Sequence, residues 1–270
     1  MSCPVWLITG CSSGFGLEIA RRALTKGHRV IATSRNPKKN EDLVQEIESK
    51  GGRWIALDVT APDLSSVVDK AKALYGTIDI LVNNAGFSLS GGFEDLSEDD
   101  LRAQYETNVF GVFKMMKAVL PGMRERQSGI VINIGSTGGL RSLPGLTEAV
   151  WHEYRDFNVK IVLVEPGPFR TNFLGGNAAV IRPMSSFYKG TSTETTLNHL
   201  KDSHGDRPGD PIKAATIIVD YALGEGSAKG SNEFLRLPLG SGALETVQGK
   251  IESLEENLAG VREMAQSADF

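Results

Sequence analysis

Val5-Trp6-Leu7-Ile8-Thr9-Gly10-Cys11-Ser12-Ser13-Gly14-Phe15-Gly16 is the stretch whose reading decides the fold. A short apolar run meets a glycine-punctuated turn, and beyond it Leu17, Ala20 and Leu24 recur at helical spacing. Strand, glycine turn, helix is the arrangement that holds a dinucleotide pyrophosphate. Gly10 permits the tight turn, Gly14 lets backbone approach the phosphates, and Gly16 lets the helix pack against the strand. The free N–H groups and the positive end of the helix dipole then face the anion. The spacing is G-x-x-x-G-x-G, so it matches the common dinucleotide fingerprint only in kind. A glycine-rich βα turn without a ligand would satisfy the same pattern.

Working outward, Arg29-Val30-Ile31-Ala32-Thr33 reads as a second strand ending at Ser34-Arg35. This is the offset at which a dinucleotide fold meets the adenosine ribose. A carboxylate there would select the 2′-hydroxyl of NAD. The chain instead places Ser34 and Arg35, and a guanidinium holds a 2′-phosphate in bidentate fashion, so the position favours NADP(H). A charged helix follows over about residues 40–50. Trp54 to Val59 is a third strand whose Asp58 either meets adenine or makes a turn. Leu64 to Tyr75 is amphipathic, and Ile78 to Val82 is an apolar strand running into Asn83-Asn84-Ala85-Gly86. Four strands alternating with helices predict parallel pairing with both sheet faces covered.

Ser97-Glu98-Asp99-Asp100 reads as a helix start. That helix is expected to carry Asn108 in its middle, where asparagine is a mediocre former, and to be interrupted near Pro121. Asn108 is either solvent-facing or a kink used at a site. Gly129 to Ile134 is a fifth strand that delivers Gly135-Ser136-Thr137-Gly138-Gly139 to the carboxyl edge, where ligands of open α/β sheets bind. Ser136 caps a helix or serves that edge. Ile161 to Glu165 is the sixth strand, and Phe234 to Leu237 the last. Residues 172–210 read as an irregular, polar segment and a substrate lid. Asp210-Pro211 opens a helix as N-cap and N1. In the tail, over about residues 241–265, Leu244, Val247, Ile251, Leu254, Leu258 and Val261 alternate spacings of three and four. The seam is short for a coiled coil and reads as a terminal helix packed on its own domain or on a partner subunit.

Composition narrows the classes. At 270 residues and 40% hydrophobic content the chain suits one large α/β domain, 1–270. A net charge of −4 argues against nucleic acid or a basic membrane patch. Cys3 and Cys11 have neither disulfide-framework nor metal-ligand spacing, so no metal is expected. The absence of a long apolar run and of a signal-peptide pattern leads to the expectation of a cytoplasmic protein without membrane contact.

Thr9-Gly10-x-x-x-Gly14-x-Gly16, Asp58, Asn83-Asn84-Ala85-Gly86, Asn108, Ser136 and Pro166-Gly167 together resemble the short-chain dehydrogenase/reductase family over about residues 4–171. The resemblance implies a single-domain, Rossmann-type, doubly wound parallel sheet. It implies a nicotinamide cofactor, homodimers or tetramers, and a small carbonyl or alcohol substrate. By that likeness Gly10, Ser12, Ser13, Gly14 and Gly16 cradle the pyrophosphate, and Ser34 and Arg35 meet the ribose 2′-phosphate. Asp58 meets the adenine, and Asn84, Ala85 and Gly86 support the fourth strand and the cofactor. Pro166, Gly167 and Thr171 flank the nicotinamide, while Asn108 and Ser136 match two catalytic positions.

The family's catalysis also depends on a Tyr-x-x-x-Lys pair shortly after the serine, the lysine lowering the tyrosine pKa so that it transfers the proton. No tyrosine of this chain has a lysine four residues later. The serine loop runs to Gly145 and straight into Leu146-Thr147-Glu148-Ala149-Val150-Trp151, where the family has more residues. The remainder still has helical spacing, and Tyr154 reads as a packed side chain. A shortened helix here would weaken the family's usual self-association. Three readings follow: an NADP(H)-dependent oxidoreductase impaired in this form, a non-catalytic NADP(H)-binding sensor or partner subunit, or a gene model that has lost a stretch.

Overall fold

The computed structural model describes residues 3–137, 143–173, 178–202 and 207–268. The amino-terminal half alternates β1 (Val5–Ile8), α1 (Gly14–Thr25), β2 (Arg29–Ser34), α2 (Glu41–Ser49), β3 (Arg53–Ala56), α3 (Leu64–Tyr75) and β4 (Ile80–Asn83). After it come β5 (Ser88–Ser90), α4 (Glu98–Tyr105), a π-helical turn Glu106–Phe110, α5 (Gly111–Arg126), β6 (Gly129–Ile134), α6 (Leu143–Tyr154) and β7 (Val159–Pro166). The chain closes with β8 (Ala179–Ile181), α7 (Ser192–Asp202), α8 (Pro211–Leu223), β9 (Arg236–Leu239) and α9 (Ser241–Gln266).

Seven of these strands form one sheet in the order β3-β2-β1-β4-β6-β7-β9, every pairing parallel. This is the doubly wound arrangement expected from the alternation of strands and helices. The direction of winding reverses between β1 and β4, so the β1 turn and the β4 turn open side by side at the carboxyl edge. Alternation along β1 sends Trp6 and Ile8 into one core layer, with residues of α1 and α8. Val5 and Leu7 enter the opposite layer, with residues of α3 and α5. Both faces are therefore buried, which is what near-continuous apolar strands require.

Two local expectations need correction, and a third, that the last helix packs on its own domain or on a partner subunit, is narrowed. Pro121 does not interrupt its helix, because α5 runs unbroken from Gly111 to Arg126. Met115, Met116, Val119, Leu120 and Met123 bury one face of it and outweigh the proline's loss of one hydrogen bond. The 172–210 segment is not irregular throughout. It contains α7, anchored by buried Leu197, and β8, which pairs in parallel with β5 to make a second small sheet. Residues 174–177 and 203–206 of that segment, like Gly138 and Gly139, lie outside the described residues. Finally, α9 does not pack on its own domain beyond its first turns: Ala243 is buried, Val247 is half-buried and the residues after it are exposed. No helix among the described residues is long and apolar enough to cross a membrane.

α6 begins at Leu143, before the Gly145 at which the sequence ends the serine loop, and covers the sheet on the side of α5. Leu146, Val150, Trp151 and Tyr154 pack on that core layer, with Phe157 from the short 3-10 turn that follows. Thr147 is fully buried, and its hydroxyl accepts a hydrogen bond from Asn133 Nδ2 at 3.1 Å. Asn133 Oδ1 in turn accepts from Asn83 Nδ2 at 2.8 Å, so β4, β6 and α6 share one buried polar chain.

Candidate functional site

Thr9 organises the site. Only 1% exposed at the end of β1, its hydroxyl accepts the N–H groups of Asn84 (2.9 Å) and Ala85 (3.0 Å) and donates to the Val82 carbonyl (3.2 Å). Asn84 returns the contact, its Nδ2 donating to the carbonyls of Thr9 (2.9 Å) and Gly10 (3.1 Å). The turns after β1 and β4 are thus stitched into one floor. The sequence motif includes Thr9 but assigns the work to the glycines and gives Thr9 no role. The available signal is a hydroxyl placed at the end of an otherwise apolar buried strand, which must find partners.

The glycines have distinct tasks. Gly10 sits at φ +71°, and a Cβ there would lie 2.9 Å from Ala85 Cα. A Cβ on Gly16 would lie 2.5 Å from Asn84 Nδ2 and 2.6 Å from the Gly10 carbonyl oxygen, so this glycine lets α1 rest on the stitched floor. Gly14 sits at φ +59°, and the nearest side chain to a Cβ there would be Thr171, at 3.6 Å. The Phe15 and Phe169 rings, 5.2 Å apart and edge to face, hold the loop after β7 over the start of α1. Helix α1 begins at Gly14, and Ser13 at its N-cap makes no side-chain cap, which leaves the first-turn N–H groups without a side-chain acceptor. Ser12 and Ser13 are both exposed. Cys11 faces inward, and burial pushes its thiol pKa up to about 12, so it is inert packing rather than chemistry.

At the end of β2 the two ribose candidates separate. Ser34 is 6% exposed, and its hydroxyl accepts the Trp54 indole N–H at 3.1 Å. Arg35 is exposed, with no hydrogen bond or ion pair to any described residue. Asp58 makes an Asx turn in which one carboxylate oxygen accepts both the N–H (2.9 Å) and the hydroxyl (2.7 Å) of Thr60.

Asn108 lies within the π-helical turn between α4 and α5. Its amide pairs with the backbone of Phe87 in both directions: Nδ2 donates to the Phe87 carbonyl at 2.7 Å, and Oδ1 accepts the Phe87 N–H at 3.1 Å. Gly86 makes room for this contact, since a Cβ on it would lie 3.2 Å from Asn108 Oδ1. The side-chain amide is therefore anchored to the loop after β4, and keeps its second N–H and its second carbonyl lone pair for a further contact. Ser136 is exposed just beyond β6. Pro166 ends β7, and its carbonyl accepts the Thr137 hydroxyl at 3.4 Å. Gly167 donates its N–H to the Leu239 carbonyl at 3.0 Å, and its Cβ would lie 2.9 Å from the Ala243 nitrogen. Its smallness serves the close approach of α9.

The structure therefore brings Gly10, Gly14, Gly16, Asn84, Ala85, Gly86 and Thr171 around the β1–β4 crevice. Residues 4–179 match the family model for short chain dehydrogenase, well over half of the chain. The chain belongs to the short-chain dehydrogenase family. It is 36% identical over 257 residues to oxidoreductase BOA17 of Botryotinia fuckeliana, covering 89% of this chain and 90% of that one. A short-chain dehydrogenase from Streptomyces avermitilis has a structure similar to this one along the full length of both chains, with a TM-score of 0.87 and 37% identity. The structure of actinorhodin polyketide ketoreductase with NADPH is similar at a TM-score of 0.69 and 28% identity, over 89% of this chain and 97% of the other.

Proposed function

We propose that this chain binds NADP(H) and acts as an oxidoreductase on a small carbonyl or alcohol compound, at a rate lowered by the lack of a Tyr-x-x-x-Lys pair. The observation that carries the cofactor reading is Arg35, an exposed guanidinium at the end of β2 without a partner among the described residues. With the Ser34 hydroxyl engaged by Trp54, Arg35 is the group available for a 2′-phosphate. The likeness to a ketoreductase with NADPH supports the same reading.

The glycine cradle fits the group: Cβ atoms at Gly10 and Gly16 would collide with its floor, and the uncapped start of α1 suits a pyrophosphate. In this reading Gly10, Ser12, Ser13, Gly14 and Gly16 hold the pyrophosphate. The second Asp58 oxygen meets the adenine amino group. Asn84, Ala85 and Gly86 form the floor, and Pro166, Gly167 and Thr171 border the nicotinamide. When bound, the cofactor supplies the hydride. Ser136 and Asn108 orient the carbonyl, Asn108 also holding the wall through Phe87, and residues 172–210 close over the substrate. What this chain does not offer is a positioned acid for the developing alkoxide. Tyr154 packs 5.8 Å from the Phe157 ring, on the sheet-facing side of α6.

Titration by nicotinamide fluorescence tests the reading. NADPH is expected to bind more tightly than NADH. Arg35→Asp should remove a charge-assisted contact of about 2–3 kcal/mol, weakening NADPH about 30- to 150-fold. Equal affinity of the unmodified chain for the two cofactors would refute the assignment.

A further inference from the structure

The last helix is built for a partner that the other described residues do not supply. Leu244, Ile251, Leu254, Leu258 and Val261 are between 41% and 58% exposed, and half-buried Val247 completes their stripe. Spaced three and four apart, they take alternate a and d positions of a heptad, with Leu244, Ile251 and Leu258 at a. From Leu244 to Val261 the stripe is about 25 Å long at 1.5 Å per residue.

Two glycines sharpen the point. Gly249 and Gly260 lie off the stripe, and a Cβ on either would meet nothing within 4 Å. Neither serves a close contact within the chain, and each costs a helix about 1 kcal/mol relative to alanine. A solvent-exposed helix with two such positions draws its stability from packing along its apolar face.

We infer that α9 pairs with α9 of a second copy of this chain, side by side and parallel in a two-stranded coil. The charges beside the stripe select this occupant and this direction. In a parallel, in-register pair Lys250, at g, faces Glu255 at e of the second copy, and two-fold symmetry makes that contact twice. The other g-to-e contacts, Ala243 with Gln248 and Asn257 with Arg262, involve no like charges. An antiparallel pair with the same overlap would set Lys250 against Asn257 and Glu255 against Gln248, leaving both charges uncompensated. Glu245, Glu252, Glu256 and Glu263 occupy the face turned away from the stripe, so the helix is poorly suited to an anionic lipid surface. The inference is independent of the cofactor and of the reaction.

Sedimentation velocity on the full chain at micromolar concentration tests it. The unmodified chain is expected to self-associate, and Ile251→Lys with Leu258→Lys to reduce the mass while the thermal transition of the domain is kept. Lys250→Glu should weaken association about tenfold, because both symmetric contacts turn repulsive. The exchange Lys250→Glu with Glu255→Lys should restore it. Within one chain these residues are five apart and on different sides of the helix, so a purely structural role would show no such rescue. If the double lysine variant does not fold, the charge exchange decides. A monomeric unmodified chain, an assembly indifferent to the stripe, failure of the exchange to rescue, or a monomer that instead co-sediments with phosphatidylcholine–phosphatidylserine vesicles would overturn the proposal.

Discussion

Replacing Thr9 by valine keeps the shape of the side chain and removes the hydroxyl that accepts two N–H groups of the β4 turn. The Asn84 and Ala85 N–H groups, now bonded to the hydroxyl at 2.9 and 3.0 Å, would be left facing a methyl group. Each buried donor left unmet costs about 1–3 kcal/mol. The Val82 carbonyl loses less, because it also accepts the Thr9 N–H at 2.9 Å. The added methyl returns under 1 kcal/mol of burial, so the net destabilisation should be about 2–4 kcal/mol. Against a typical domain stability of about 5–15 kcal/mol the variant still folds, with a floor no longer held at the dinucleotide position. Thr9→Ser keeps all three hydrogen bonds and should cost about 1 kcal/mol for the lost methyl. Urea unfolding of the three proteins is the assay, read at constant m-value. Valine and serine variants of equal stability would refute the claim that the hydroxyl joins the two turns.

Gly16→Ala places a Cβ against Asn84 Nδ2 and the Gly10 carbonyl, and should cost about 1–3 kcal/mol as overpacking while weakening NADPH binding. Thermal unfolding and the fluorescence titration check both effects, and an unchanged affinity would contradict the cradle. Lys160 gives a pH signature. Its ammonium donates to the Tyr221 carbonyl at 2.9 Å and sits 4.5 Å from the centre of the Tyr221 ring, and burial lowers its pKa from 10.5 to about 8. Between these values the unfolded chain holds more protons than the native one, so this group's contribution makes stability rise with pH from about 8 to 10.5. Unfolding in urea at two pH values inside that window should show a smaller rise for Lys160→Met than for the unmodified chain. An equal rise in both would remove Lys160 from the account.

The central sheet was legible because most of its strands are apolar runs ending in a polar or glycine turn, and the helices between them bury one stripe. Ser97 and Asp100 form the capping box expected at the start of α4, and Asp210 caps α8 through the Ile212 and Lys213 N–H groups. Asn108 was legible as an anomaly, and the π-helical turn is its physical cause. The pairing of β5 with β8 was not legible. Each is three residues long, too short for a period, and Ser88 meets Ala179 across most of the chain's middle third. Helix α7 was hidden by its serine and threonine content, since its order rests on tertiary contact at Leu197 rather than on propensity. The site was legible as a set of glycines and asparagines. Its internal economy was not, because which amide or hydroxyl is already spoken for depends on neighbours distant in sequence. Thr9 with Ala85, Ser34 with Trp54 and Asn108 with Phe87 are instances.

The central claim is that this short-chain dehydrogenase scaffold can take up NADPH but lacks the positioned proton donor. The most direct measurement compares NADPH consumption by the unmodified chain with that of a variant carrying a family-like insert with Tyr-x-x-x-Lys between Gly145 and Thr147. Both are screened on one panel of ketones, aldehydes and quinones. Positioned acid–base catalysis contributes about 10²–10⁴-fold, so the insert should raise the rate by that order at unchanged NADPH affinity. Turnover by the unmodified chain as fast as that of the insert variant would contradict the account and make Tyr154 the first residue to replace.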